Sequence, residues 1–286
     1  MRGKASACGS ATIVNAIASG KGAAFAVDLR IYSEVELSEK EVGVTGEIED
    51  SSEDPLLIEC CVEKVLEHYG MEELGGVVRT SSELPTAVGL SSSSAAANAT
   101  VLATASALDK DISPETAIEL GVEASLDIGV TVTGAYDDAS ASFYGGAVVT
   151  DNDSMEILEK FSVDPSLSVL IYIPPEKSYT SDVDTERIEL IGELVDSAHE
   201  EALSGNTFGA LTLNGLLYSS VLDQDPDVAL EALKAGAEAA GLTGTGPAVV
   251  ALCEGEKVDK IKNRWKGKAG DIILTRPSSE GAIMEK

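Results

Sequence analysis

Two adjacent carboxylates, Asp137 and Asp138, stand in a largely apolar, small-residue stretch that runs from Gly129 to Gly146. Acids in such a setting can take a proton from a hydroxyl or hold a cation, because an apolar surround alters their proton affinity. Two acids in a solvated turn are the ordinary alternative. A second stretch, Leu84 to Ala97, places Pro85, Gly89 and the serines Ser91, Ser92, Ser93 and Ser94 directly ahead of an alanine-rich helix pattern. Free N–H groups and the dipole at a helix start attract phosphate, small side chains let the backbone approach, and serine hydroxyls can bind phosphate oxygens or Mg²⁺. Serine also caps helices that bind nothing, so this stretch alone fits a helix packed on a sheet equally well. A third stretch, Gly241 to Ala248, carries Gly244 and Gly246 and reads as a flexible turn feeding a strand. It matches neither the dinucleotide fingerprint nor the Walker pattern.

The elements that must hold these stretches alternate between strand and helix. Apolar alternation predicts strands over Ala23 to Leu37, Gly76 to Arg79, Ala147 to Thr150, Val163 to Ile173, Ala248 to Cys253 and Asp271 to Thr275. Helical spacing predicts helices over Leu56 to Tyr69, Ser91 to Leu108, Pro114 to Asp127, Asp184 to Leu203, Asn206 to Leu222, Pro226 to Ala240 and the basic Val258 to Trp265. Ser113 before Pro114 is a cap followed by a first-turn proline. The polar run Asp151, Asn152, Asp153 and Ser154 suggests a boundary near residues 151–162, hence domains over 1–155 and 156–286.

Composition limits the classes open to the chain. Its 286 residues are 44% hydrophobic and 4% aromatic, so it is globular with an aliphatic core. A formal net charge of -29 argues against nucleic acid and anionic membranes as partners, since both require a cationic face. The four cysteines, Cys8, Cys60, Cys61 and Cys253, form no zinc or disulfide pattern, and reduced thiols are expected. Two histidines, His68 and His199, leave no imidazole-rich metal site; both lie on acidic helical stretches and read as solvated. Without a leader-like start or an 18-residue apolar run, a cytoplasmic protein is expected.

In order and spacing the three stretches resemble the three motifs of the GHMP kinases, the superfamily of galactokinase, homoserine kinase and mevalonate kinase. The first corresponds to Ala7 to Ile13 followed by Gly20 to Leu29, the second to Pro85 through Ala97, the third to Leu242 through Ala248. Gly20 to Leu29 and Thr133 to Ala139 look most like the archaeal-type shikimate kinases. The resemblance implies an α+β, two-domain GHMP kinase fold, with a ribosomal-protein-like first domain and a ferredoxin-like second one. It implies ATP-dependent phosphorylation of the 3-hydroxyl of shikimate; homoserine or mevalonate kinase activity, or a noncatalytic ligand-binding role, are the alternatives.

The same resemblance implies site residues. Pro85, Thr86, Ala87, Val88, Gly89, Leu90, Ser91 to Ser94 and Ala95 would cradle the ATP phosphates, with Gly244 and Gly246 from the third motif. Family members place a catalytic aspartate seven residues before a glycine, which lands on Asp138, with Asp137 the one-residue alternative. Mg²⁺ would be held by Ser92 with Glu123 or Asp127. Several members carry a lysine just after the first-motif glycine, where this chain has Ser10. The missing cation would then come from elsewhere, with Lys21 preferred to Lys4. Arg79, Lys177 or Arg187 would pair with the substrate carboxylate, and Tyr136 is either a pocket wall or a core aromatic.

Overall fold

The computed structural model describes residues 1–51, 53–175 and 183–285. The chain opens with β1 (Arg2–Val14), a 3₁₀ turn (Ala16–Ala18), β2 (Lys21–Ser38), β3 (Val44–Ile48), α1 (Leu56–Tyr69), β4 (Gly75–Ser82), α2 (Ser92–Ala107), α3 (Pro114–Asp127), α4 (Tyr136–Tyr144), β5 (Ala147–Asp151) and β6 (Glu156–Phe161). It continues with β7 (Ser168–Ile173), α5 (Thr185–Glu189), α6 (Gly192–Leu203), α7 (Thr207–Val221), α8 (Asp227–Ala235), β8 (Ala239–Leu242), β9 (Val249–Cys253), α9 (Val258–Trp265), β10 (Asp271–Thr275) and β11 (Ile283–Glu285).

Two sheets carry the fold. The larger follows the order β11-β1-β2-β4-β3, with β5 paired to the first residues of β2 and β6 to β5. All of its pairings are antiparallel except β3 with β4. The smaller is antiparallel in the order β10-β7-β9-β8. β2 is long enough to pair with β5 through Lys21–Phe25 and with β4 through Ile31–Ser38, so it threads the whole first sheet. One apolar cluster joins the two sheets, running from Phe25 and Leu90 through Val169 and Leu242 to Trp265. The parts therefore share a core, and a cleft between them has fixed walls.

Small residues let α2 lie directly on β1. A Cβ on Gly3 would come within 2.2 Å of the Ala103 carbonyl oxygen, and Ala95, Ala99 and Ala103 are fully buried. The Ser113 side chain accepts the Thr116 N–H at the start of α3, the cap its sequence announces.

Several elements depart from the periodicity. β1 was not predicted, because it is buried on both faces and built from alanine, glycine and serine, which removes the alternation that marks a half-exposed strand. α4 lies inside the stretch that reads as turn, since its flanking glycines hide a helix of only nine residues. The helix expected over Asp184 to Leu203 is broken into α5 and α6 at Leu190 and Ile191. That expected over Pro226 to Ala240 ends at the left-handed Gly236, and its last residues enter β8. The polar run at 151–154 is the turn of the β5–β6 hairpin, so residues 156–161 still belong to the larger sheet, and β11 returns to it from the far end of the chain. His68 is exposed as expected, but His199 is buried and its Nε2 lies 3.1 Å from the Thr150 carbonyl oxygen. All four cysteines are free thiols.

Candidate active site

The second sequence stretch forms the loop from β4 into α2, and its backbone is unusual. Ala87, Gly89 and Ser91 take φ values of 57°, 84° and 56°. Left-handed residues at alternate positions turn successive N–H groups toward one side, which makes a nest for an anion at the start of a sixteen-residue helix. Only Gly89 holds this conformation without a Cβ penalty, and a Cβ there would also meet the Thr243 carbonyl oxygen at 2.2 Å.

Threonines fasten this loop to the third glycine stretch. The Thr243 hydroxyl donates to the Gly89 carbonyl at 2.8 Å and accepts the Thr12 N–H at 3.0 Å. The Thr12 hydroxyl accepts the Gly244 N–H at 2.9 Å, and the Ala248 N–H donates to the Val88 carbonyl at 3.2 Å. Strand β1, the phosphate-type loop and the third stretch thus interlock around a cleft of about 460 Å³. Thr86, Ala87, Val88, Gly89, Gly244 and the four serines line it. Leu90 and Ala95 instead point into the core, while Pro85 and Gly246 shape their loops without lining the cleft. At one end the walls are aliphatic, with Ile48, Leu57, Ile128 and Val130.

The acid pair is split in role by its surroundings. The loop before α4 has Gly134 and Ala135 in left-handed conformations, and Ala135 offers no side chain to cap the helix. Asp138 is half-buried and lines the cleft, where its Oδ1 accepts the Ser10 hydroxyl at 2.9 Å and its carboxylate is bonded to Ser91. Burial raises its proton affinity above the usual carboxylate range, and the two hydroxyls oppose that shift. Asp137 is 4% exposed and packs beneath Gly22, where a Cβ would come within 2.6 Å of its Cγ. Its Oδ1 accepts the Asn152 side-chain amide at 2.8 Å. Burial first, and the charge of Asp138 second, push the Asp137 pKa up to about 7, against the pull of Asn152 and of the N–H groups of Asp137 and Asp138.

Ser10 therefore meets Asp138 from the position where several GHMP kinases carry a lysine. Lys21 does not supply the missing cation. Gly22 faces Asp137, so strand alternation sends Lys21 the other way, and its Nζ lies 3.3 Å from Asp196 on α6. Lys4 pairs with Glu34, away from the acids. Glu123 and Asp127 both hold Lys64 of α1, at 3.5 Å and 2.7 Å, and neither lines the cleft. Among the described residues, the oxygen donors lining the cleft near the loop serines are the serine hydroxyls and the Asp138 carboxylate, and Glu123 and Asp127, the expected carboxylate ligands for Mg²⁺, do not fit where they stand. Arg79 pairs with Glu47 and Glu36, and Arg187 with Asp223. Lys177 lies outside the described residues. Tyr136 is a core aromatic against Ile118 and Val122.

Sequence reasoning missed three polar residues that shape the site. Thr12 and Thr243 lie inside the first and third motif stretches, where nothing singles them out from their neighbours, and Asn152 is hidden in a run that reads as a boundary.

The chain matches the family models described as GHMP kinases N terminal domain, over residues 56–146, and GHMP kinases C terminal, over residues 183–271. It is 46% identical to a shikimate kinase of Methanosarcina mazei over 286 residues, covering 99% of this chain and 97% of that one. It is 47% identical to a shikimate kinase of Methanothermobacter thermautotrophicus, covering 96% and 94%. A shikimate kinase of Halobacterium salinarum is 41% identical, covering 99% of each chain. Among solved structures, homoserine kinase from Cytophaga hutchinsonii superposes with a TM-score of 0.79 at 20% identity, covering 99% and 97%. The Methanococcus jannaschii mevalonate kinase does so at 0.77 and 17%, covering 96% and 98%; these two show the fold alone.

Proposed function

The chain belongs to the GHMP kinases, and from its full-length kinship with shikimate kinases we infer that it transfers the γ-phosphoryl group of ATP to the 3-hydroxyl of shikimate. The observation that carries the chemistry is Asp138, an acid open to the cleft, set between the start of α2 and the third glycine stretch.

Phosphoryl transfer asks a protein chiefly for alignment and charge neutralisation. The N–H groups of the loop from Thr86 to Ser94, backed by the α2 dipole, suit the phosphates of ATP. The aliphatic end of the cleft suits the flat face of the base. ATP would enter as its Mg²⁺ complex, in which the ion would offset phosphate charge, and Ser92 is the residue of this chain that would meet it. Asp138 orients the acceptor hydroxyl and takes its proton as the new phosphate ester forms. Its raised proton affinity favours that transfer, and the hydroxyls of Ser10 and Ser91 aim the carboxylate. Low charge around the loop matters here: no charged residue occurs from Pro85 to Ala105, so the anion meets backbone dipoles rather than the acidic exterior. ATP-dependent chemistry of this kind fits a cytoplasmic protein.

An acceptor panel tests the proposal. ADP release is measured with shikimate, homoserine, mevalonate and galactose in the presence of Mg²⁺ and ATP. Shikimate should support turnover at least about a hundredfold above the others, because a site built for its hydroxyls leaves polar groups unpaired with the wrong acceptor. Turnover with homoserine or mevalonate but not shikimate would replace the substrate, and turnover with none would end the catalytic assignment.

A further inference from the structure

We propose that Asp137 is a positioning residue and Asn152 its anchor, the two together fixing the first turn of α4 so that Asp138 points at the acceptor hydroxyl. The proposal rests on Asp138 acting as the base, and adds to that assignment the device that aims it.

Helix α4 begins without the usual support. Its N-cap residue is Ala135, in a left-handed conformation and without a capping side chain, so the N–H groups of the first turn need another acceptor. Asp137 stands in that first turn, where the N–H groups of Asp137 and Asp138 pull its proton affinity down, so its carboxylate is placed to serve them from within the helix. An acid near a helix start also suits the local dipole.

Two other elements reach that carboxylate. Gly22 of β2 lies against it with no room for a Cβ. Asn152, in the β5–β6 turn, donates its amide to Asp137 Oδ1 and is itself held twice: its N–H donates to the Gly20 carbonyl at 2.8 Å, and its Oδ1 accepts the Thr150 hydroxyl at 2.7 Å. Asn152 is 4% exposed, although the turn around it is polar and its neighbours Asp153 and Ser154 are exposed. A buried amide with both ends paired has one orientation, and it transmits that orientation to Asp137. From Asp137 the chain runs directly into Asp138, whose own partners are the hydroxyls of Ser10 and Ser91. Asp137 also reaches the cleft wall, but it is only 4% exposed and its carboxylate is engaged by Asn152, so the arrangement gives it a positioning part while Asp138 faces the acceptor.

Wild type, Asp137→Asn, Asn152→Ala and the exchanged pair Asp137→Asn with Asn152→Asp are compared by steady-state kinetics with ATP and shikimate and by equilibrium ATP binding. Asp138→Asn serves as the reference for loss of the base. The single variants should lower kcat about ten- to a hundredfold, the effect of a slightly misplaced catalytic group, while ATP Kd and both KM values stay within about threefold. The exchanged pair restores an amide-to-carboxylate contact and should regain at least about fivefold over Asp137→Asn. A loss in Asp137→Asn as deep as in Asp138→Asn would make Asp137 the base and overturn the proposal. So would single variants within about twofold of wild type, losses that appear in KM or Kd rather than kcat, or no recovery in the exchanged pair. If Asn152→Ala fails to fold, Asp137→Asn and the exchanged pair decide the matter. Normal turnover by Asp138→Asn removes the underlying base assignment, and is distinguishable from every outcome above.

Discussion

Asp137 and Asp138 both reach the wall of one cleft, but their surroundings differ. One is 4% exposed and enclosed by Gly22 and Asn152; the other opens on the cleft through Ser10 and Ser91. The enclosed acid carries a stability cost that depends on pH. Its pKa is raised to about 7, above the ordinary aspartate value, so between those two values the folded chain binds more protons than the unfolded one. That component of stability is present at low pH and is lost as pH rises toward 7. Asp137→Asn lacks this loss, so its melting temperature relative to wild type should climb as the pH rises from about 4 to about 7 and level off above. Thermal melts across that range check the sign, and a difference independent of pH would contradict it. The family spacing, seven residues before Gly145, points to Asp138 as the proposed base, yet the same sequence hides Asn152 in a polar run and offers Lys21 as a cation. Spacing reports neither which face of β2 a side chain takes nor which turn residue is buried.

At the level of elements, the cleft depends on contacts between segments far apart in the chain. Thr243 is the pivot: one hydroxyl bonds both Gly89 on the loop before α2 and Thr12 on β1. Thr243→Val keeps the shape and removes both bonds, leaving the Thr12 N–H without its partner. It should cost about 1–3 kcal/mol of stability and raise the Kd for ATP several-fold, because the loop loses its fixed geometry. Denaturant unfolding with ATP titration reads both effects, and an unchanged Kd would separate the loop from nucleotide binding. Amphipathic helices such as α1 and α3 were legible because half of each faces water, and α3 also announces its Ser113 cap in the sequence. β1 and α4 were not: β1 is built largely of small residues with no alternation, and α4 is a nine-residue helix set between glycines.

For the whole molecule, the charge of -29 and the anionic substrates are reconciled by location. The acids crowd the exterior of α1, β6 and α6, while the loop before α2 is uncharged and turns its N–H groups inward. Such a surface repels itself, and salt screens exposed charges over roughly 10 Å at 0.1 M. Raising KCl from about 0.05 to about 1 M should therefore raise the melting temperature by several degrees; a flat response would mean that the acids are already neutralised by local ion pairs. The expectation of two domains came from the family resemblance and from the polar run at 151–154. The polar hairpin turn resembles a linker, and the chain's last strand crosses back to the first sheet. All of this organisation serves one residue in one cleft. The most direct measurement is therefore ADP release with shikimate by wild type and Asp138→Asn, beside the ATP Kd of each. Turnover should fall at least about a hundredfold with Kd within about threefold, whereas near-normal turnover in the variant would contradict the account.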